Sequence, residues 1–186
     1  MKDCIITGVS WSWKTTVQLE LIEKYGYTML YNFSTREVRG EDGLDWEWDF
    51  TNSERNNYIF ISPENLLKKY KNGDCSNITL YNGNLYAMSR VPVKENAPIC
   101  VILEPNGRKQ VEELWKKEWR EHVTLFLNIS PQEQEKRMRG RGESEEVIEK
   151  RKRDYEYFSP TNSDVVIECD GRTVEEVVQL VLNVIS

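Results

Sequence analysis

The sequence predicts an α/β fold, a parallel five-stranded sheet covered by helices, and three observations predict it. Apolar segments of four to seven residues alternate with longer segments of helical period, the pattern of strands buried on both faces by crossover helices. The helical segments begin and end on legible capping signals. The chain is 186 residues long, enough for one well-cored domain carrying an insert and too short for two ordinary domains.

The strands fall at Cys4–Thr7, Tyr27–Asn32, Cys100–Leu103, Val123–Ile129 and Val165–Glu168. The first helix, Lys14–Tyr25, carries Val17, Leu21 and Tyr25 on one stripe, pairs Glu20 with Lys24 and stops at Gly26. Ser62-Pro63-Glu64 and Ser130-Pro131-Gln132-Glu133 each place a capping serine before a proline at the first helical position, and the second adds a capping-box glutamate. Thr173 to Glu176 is another capping box, opening an apolar helix to the C-terminus. Residues from about Ser34 to Arg90 break the alternation, being rich in Asn, Gly, Tyr and Trp, and read as an inserted substrate lobe. Lys136–Arg153 holds eight basic and four acidic residues and few apolar ones, so it reads as an exposed, mobile segment. Trp115 and Trp119, four apart, read as helix residues covering the sheet, and His122 as a surface residue before the fourth strand.

Composition narrows the function. With 31 acidic and 25 basic residues the net charge is -6, which disfavours a nucleic-acid polymer or an anionic membrane as partner. The single histidine excludes most His-dependent metal sites and catalytic triads. Cys4, Cys75, Cys100 and Cys169 form no C-x-x-C pair and read as buried free thiols in a reducing compartment. No apolar stretch approaches the roughly 20 residues of a membrane span, so the chain reads as soluble and cytoplasmic.

The first strand runs into Gly8-Val9-Ser10-Trp11-Ser12-Trp13-Lys14-Thr15-Thr16 and then the first helix, the position of a phosphate-binding loop of pattern G-x-x-x-x-G-K-[ST]. Such a loop aims backbone N–H groups, a lysine and the positive end of a helix at phosphate oxygens, and offers a hydroxyl to Mg²⁺. Gly8, Lys14 and Thr15 match; Trp13 stands where the pattern has glycine.

Ser34-Thr35-Arg36-Glu37-Val38-Arg39-Gly40-Glu41-Asp42-Gly43-Leu44-Asp45-Trp46 resembles the T-R-x-x-R-x-G-E-x-x-G-x-D-Y segment of guanylate kinases. Asn82 to Ala87 is similar to the family's G-N-Y-Y-G turn, Arg137 to Gly142 to the R-L-x-x-R-G start of its lid, and Glu145 to Arg151 to the lid's closing helix. Ser163 to Ile167 is similar to its last strand. The resemblance implies a P-loop kinase fold: a core of 1–33, 91–135 and 154–186, a monophosphate-binding lobe of about 34–90, and a helical lid of about 136–153. It implies transfer of the γ-phosphoryl of ATP, with Mg²⁺, to a nucleoside or deoxynucleoside monophosphate. Gly8, Ser10, Ser12, Lys14, Thr15, Thr16 and Arg137 are then the ATP contacts, and Lys14, Arg137, Arg141 and Arg151 the catalytic cations. Arg36, Arg39, Trp46, Tyr86, Asn32, Asn77 and Glu104 are the monophosphate contacts, with Thr15 and Glu104 toward Mg²⁺. The residue types suit phosphoryl transfer, which is positioning and charge neutralisation and needs no histidine.

The departures cluster at base reading. Asn32 replaces a serine, Asn77 a glutamate that accepts from guanine, and Met88 a small hydroxyl residue, so an acceptor other than a guanine monophosphate is expected. Two readings of the loop stand: a working kinase that accommodates Trp11 and Trp13, or a kinase-fold binding module or inactive form. Two Gly-to-Trp changes in one loop have two further origins, deliberate mutation or translation under a different code, since a UGA codon is read as Trp, Gly or stop in different genetic codes.

Overall fold

The computed structural model describes residues 1–37, 58–81, 83–92, 94 and 96–186. The chain divides into two compact units, Met1–Tyr27 with Pro98–Ser186, and Thr28–Ala97.

The first unit is built on a parallel sheet of four described strands in the order β6-β1-β7-β8. These are β1 (Asp3–Thr7), β6 (Cys100–Ile102), β7 (His122–Asn128) and β8 (Val165–Glu168). Cys4 lies opposite Cys100 on one side and Val123 on the other, so β1 is central. All five of its residues are buried, as a strand covered on both faces must be. Asp3 is the polar exception: its carboxylate accepts from Ile99 N at 2.6 Å and Arg120 Nε at 2.7 Å. A buried charge is tolerable only with such partners. Around the sheet stand α1 (Lys14–Tyr25), α3 (Pro105–Lys117), α4 (Pro131–Gly140), α5 (Glu145–Lys152), the short α6 (Asp154–Tyr157) and α7 (Val174–Ile185). Helices α1 and α7 pack on each other, α1 against β6 and α7 against β8. Val17, Leu21, Leu125, Leu127, Val177 and Val181 are fully buried in this core, each such side chain contributing roughly 1.5–3 kcal/mol.

The second unit has its own mixed sheet, order β3-β2-β5-β4, from β2 (Leu30–Ser34), β3 (Tyr58–Phe60), β4 (Cys75–Tyr81) and β5 (Asn84–Pro92), with α2 (Pro63–Lys71). Strand β2 runs parallel to β3 and antiparallel to β5, and β4 antiparallel to β5. Phe33, Leu66, Cys75 and Ala87 form a separate core, flanked by Ile59, Ile61, Ile78 and Leu85.

The predicted α/β architecture with its parallel sheet is present, with corrections. The segment expected as a fifth strand, Tyr27–Asn32, is divided. Tyr27 belongs to the first unit, its hydroxyl donating to Lys2 O at 3.1 Å, whereas the strand proper starts at Leu30 and joins the second sheet. An apolar run encodes burial but not the sheet that receives it. At α4, Ser130 accepts from Glu133 N at 3.2 Å, but the Glu133 carboxylate turns to Arg137 and Ser130 N donates to Asp170 Oδ1 at 3.0 Å, so the expected reciprocal box is half formed. The box at Thr173 and Glu176 is complete. Trp119 does not cover the sheet: α3 ends at Lys117 and Trp119 is 94% exposed, while Trp115 alone is buried. His122 begins β7, half-buried, with its ring edge-on to Trp115 at 5.4 Å. Among the described residues no helix is long and apolar enough to cross a membrane.

All four cysteines are buried and unpaired. Burial pushes the Cys169 thiol up to about 12 and raises those of Cys75 and Cys100. A thiol in that state carries almost no thiolate at neutral pH. Native protein at pH 8 should therefore react with Ellman's reagent at none of these positions within minutes, and at all four in denaturant; a rapid native reaction at Cys169 would contradict its burial.

Candidate active site

Residues 8 to 13 connect β1 to α1. Gly8 adopts φ +142°, and a β-carbon there would lie 2.4 Å from Leu127 O and 2.9 Å from Ser12 Oγ. No other residue fits, because the loop backbone is pressed against β7. The buried Ser12 closes the turn, its Oγ donating to Val9 O at 2.9 Å. Lys14 Nζ donates to the same carbonyl at 2.6 Å, which folds the ammonium back over the loop.

The start of α1 is unlike those of the other described helices of eight or more residues. Helices α2, α3, α4, α5 and α7 are each capped by a side chain, from Ser62, Glu104, Ser130, Ser144 and Thr173. At α1 the cap position is Trp13, with φ 66° and ψ 15°, and no side chain caps the helix; its first turn holds no acidic residue. The first turn thus keeps N–H donors, the positive end of the helix dipole and Lys14 together, with the exposed Thr15 and Thr16 beside them. That combination suits an anionic group.

Helix α4 meets this loop. Gln134, fully buried, donates from Nε2 to Ser10 O at 3.1 Å, while its Oε1 has no partner. One turn on, Arg137 donates from Nη1 to Trp11 O at 3.0 Å, from Nη2 to Cys169 O at 3.3 Å and from Nε to Glu133 Oε1 at 2.9 Å. Its guanidinium stacks on the Trp13 ring at 3.7 Å, and those of Arg141 and Arg151 lie over Trp11 at 4.7 and 5.8 Å. The structure therefore brings Ser10, Ser12, Lys14, Arg137, Arg141 and Arg151 to one loop. The cations meet indole faces there, a cation–π arrangement worth roughly 0.5–2 kcal/mol per pair. Trp11 Nε1 is buried without an acceptor. Sequence reasoning missed Gln134; its signal was the i, i+3 spacing to Arg137 on one helix face.

Ion pairs tie the helices of the predicted lid. Arg139 bonds Glu135 and Glu145, and Lys152 bonds Glu135 at 3.1 Å and Glu149 at 2.8 Å. Arg151 approaches Glu143 at 4.0 Å. A hydrogen bond from Arg137 holds the Glu133 carboxyl below its ordinary range, one from Lys152 lowers Glu135, and one from Arg139 lowers Glu145.

Glu104 has another occupation. As the cap of α3 its carboxylate accepts from Asn106 N, Gly107 N and the Tyr157 hydroxyl. That commitment does not suit a Mg²⁺ ligand. Thr15 does, since Mg²⁺ binds through few protein oxygens beside substrate phosphates and water. Among the described residues no cluster of three or more His, Cys, Asp or Glu could hold a metal.

In the second unit, Thr35 ties β2 to β5: Thr35 N donates to Leu85 O at 3.0 Å and Leu85 N to Thr35 Oγ1 at 2.9 Å. Arg36 follows, its Nη1 donating to Glu37 O at 3.0 Å and its guanidinium 4.7 Å over Phe60. Tyr86 lies opposite Ser34 and Thr79 in register, its ring 6.4 Å from Tyr81. Asn32 lies opposite the buried Met88, and Asn77 falls at the register shift between Cys75 and Ile78 on the other side of β5. Only the backbone of Asn77 is described, and Arg39 and Trp46 lie outside the described residues.

No family model matches the chain. A guanylate kinase of Synechococcus sp. (strain CC9311) is 32% identical over 177 residues, covering 89% of this chain and 85% of that protein. One of Fusobacterium nucleatum subsp. nucleatum is 27% identical over 154 residues, 79% and 75% of the two chains. Among solved structures, the guanylate kinase of Anaplasma phagocytophilum superposes with TM-score 0.68 at 17% identity, covering 99% of this chain and 84% of that one. A gluconokinase of Sinorhizobium meliloti superposes at 0.52 and 18% identity, covering 98% and 90%. At those identities the structural matches show the fold alone.

Two expectations follow from the loop and the helices that meet it. Gly8→Ala should destabilise the fold by about 3 kcal/mol in urea denaturation, because strain and a backbone clash act together; a loss under 1 kcal/mol would show that the loop can retreat from Leu127. The lowered carboxyls Glu133, Glu135 and Glu145 contribute stability that is present above their unfolded value near pH 4.3 and is lost as pH falls through the lower folded values. Hydrogen exchange should then show α4 and α5 losing protection in acid before β1 and β7 do.

Proposed function

This chain belongs to the guanylate kinase family, and from that premise we propose that it transfers the γ-phosphoryl of ATP to a nucleoside or deoxynucleoside monophosphate other than GMP or dGMP. One observation carries the ATP half: α1 starts with neither a side-chain cap nor an acid, directly after a loop whose lysine is folded over it. In this reading Gly8, Ser10, Ser12, Lys14, Thr15 and Thr16 cradle the triphosphate. The Thr15 hydroxyl would hold Mg²⁺, which would supply charge neutralisation to the transferring group.

Lys14 exchanges Val9 O for a phosphate oxygen and neutralises charge where it develops. Arg137 is already fixed by Glu133 and two carbonyls, so little ordering is needed to present its guanidinium. Arg141 and Arg151 stand over the loop from the following turn and helix, and together the three exclude water from the transferring group. In the second unit, Arg36 and Arg39 grip the acceptor phosphate bidentately, helped by Tyr86 and Trp46. Asn32 and Asn77, on strands flanking β5, read the base. An amide offers one acceptor and one donor group where a carboxylate offers acceptors only, which favours a base edge of mixed character over the paired donors of guanine.

A second reading has its own observation. The guanidinium groups of Arg137, Arg141 and Arg151 lie on the faces of Trp13 and Trp11. A protein in which these contacts persist would bind monophosphate and turn over ATP poorly.

The two readings and the base assignment separate in one set of measurements. A coupled assay over a panel of monophosphates with Mg·ATP should show turnover that falls about 100-fold in Lys14→Met. A strong exclusive preference for GMP would overturn the base assignment. Calorimetry showing no heat with ATP on folded protein would select the second reading.

A further inference from the structure

Five described residues other than glycine have positive φ: Trp11 at 72°, Trp13 at 66°, Asn96 at 61°, Trp119 at 57° and Asn162 at 67°. Asparagine tolerates this region through local hydrogen bonds; a bulky aromatic residue is strained there. The described tryptophans are 11, 13, 115 and 119, so three of the four are left-handed.

Trp119 shows what the backbone asks for. Helix α2 ends on Asn72 followed by Gly73 at φ 80°, and α4 ends on Arg141 followed by Gly142 at φ 77°. Helix α3 ends on Glu118 followed by Trp119. The hydrogen bonds repeat in all three. Gly73 N, Trp119 N and Gly142 N donate to the carbonyls of Tyr70, Lys116 and Arg139, and the next residues, Asp74, Arg120 and Glu143, donate to Lys69, Trp115 and Met138. This is one helix stop, used with glycine twice and tryptophan once. The ring of Trp119 is 94% exposed, so no burial offsets the strain. Trp13 likewise holds the position before Lys14 that a phosphate loop gives to glycine, and Trp11 buries an indole N–H with no acceptor. Trp115 behaves differently. It lies inside α3, is 3% exposed, stacks edge-on with His122 and has the Arg120 guanidinium 5.7 Å from its ring.

We propose that positions 11, 13 and 119 are glycine in the protein as its own cells make it, encoded by UGA read as glycine, and that Trp115 is encoded by UGG. Unrelated substitutions would have no reason to select left-handed positions and arrive at tryptophan each time. One codon with two meanings produces all three together. For the ATP loop the consequence rests on the function proposed above: with glycine at 11 and 13, both indoles leave the loop and the three lid arginines lose the surfaces that now occupy them.

The coding DNA tests this directly. In-frame UGA at 11, 13 and 119 with UGG at 115 is expected, and peptides from natively produced protein should be lighter by the difference between an indolylmethyl group and a hydrogen at each of the three sites, twice over in the tryptic peptide that holds both 11 and 13. UGG at any of the three, or UGA at 115, overturns the assignment by conformation. On protein carrying the tryptophans, Trp119→Gly should raise Tm by about 3 °C, and a fall in Tm would overturn the glycine reading of that turn. The pair Trp11→Gly and Trp13→Gly should tighten Mg·ATP binding at least about 100-fold. UGA codons together with unchanged ATP binding would leave the glycine assignment standing and sink the ATP-loop reading instead.

Discussion

The first unit depends on an approach of two backbones that only residue 8 permits. Because Gly8 has no β-carbon, the chain leaving β1 can lie against the Leu127 carbonyl of β7 and turn at once into α1. That contact fixes where Val9 points its carbonyl, hence where Ser12 and Lys14 anchor, and hence where the uncapped first turn of α1 faces. The buried strand β1 makes the position rigid from the other side. Its apolar residues have no exposed alternative register, and Asp3 at its start is held by Arg120 and the Ile99 amide.

Charge is distributed to the same end. The chain carries a net charge of -6, yet Lys136–Arg153 alone carries +4. Glutamates on α4 and α5 order the outer cations of this segment, while Arg137, Arg141 and Arg151 are directed at the loop. Exposed pairs of this kind add little stability individually, so their effect is to hold geometry. A cation-rich cluster over a helix start has to meet electron density of some kind. Here it meets indole faces, and the energy of those contacts competes with any phosphate that would take their place.

Much of this was legible in the sequence. The helix Lys14–Tyr25 and the strand Val165–Glu168 have the predicted bounds, because apolar period and termination signals agree there. That Lys14, Arg137, Arg141 and Arg151 belong near one loop was anticipated through a motif and a resemblance. What was not legible depended on partners distant in sequence. Whether Leu30 joined the first sheet or the second is decided by β5. Glu133 abandons its capping role because Arg137 competes for it, and Glu104 takes a capping role that composition did not suggest. Gln134 shares the Arg137 face of α4 by spacing, but only the fold shows that it reaches Ser10. The exposure of Trp119 was hidden because a period of four reads as one helix face even when the helix has already stopped.

Two hydrophobic clusters among the described residues have no member in common: Phe33, Leu66, Cys75 and Ala87 lie in the second unit, and the residues around Val17 and Leu127 in the first. A substitution at Phe33 or Ala87 draws its stability cost from the small core, while the strand-loop-helix keeps its own support. Each core can therefore be altered without withdrawing apolar support from the other.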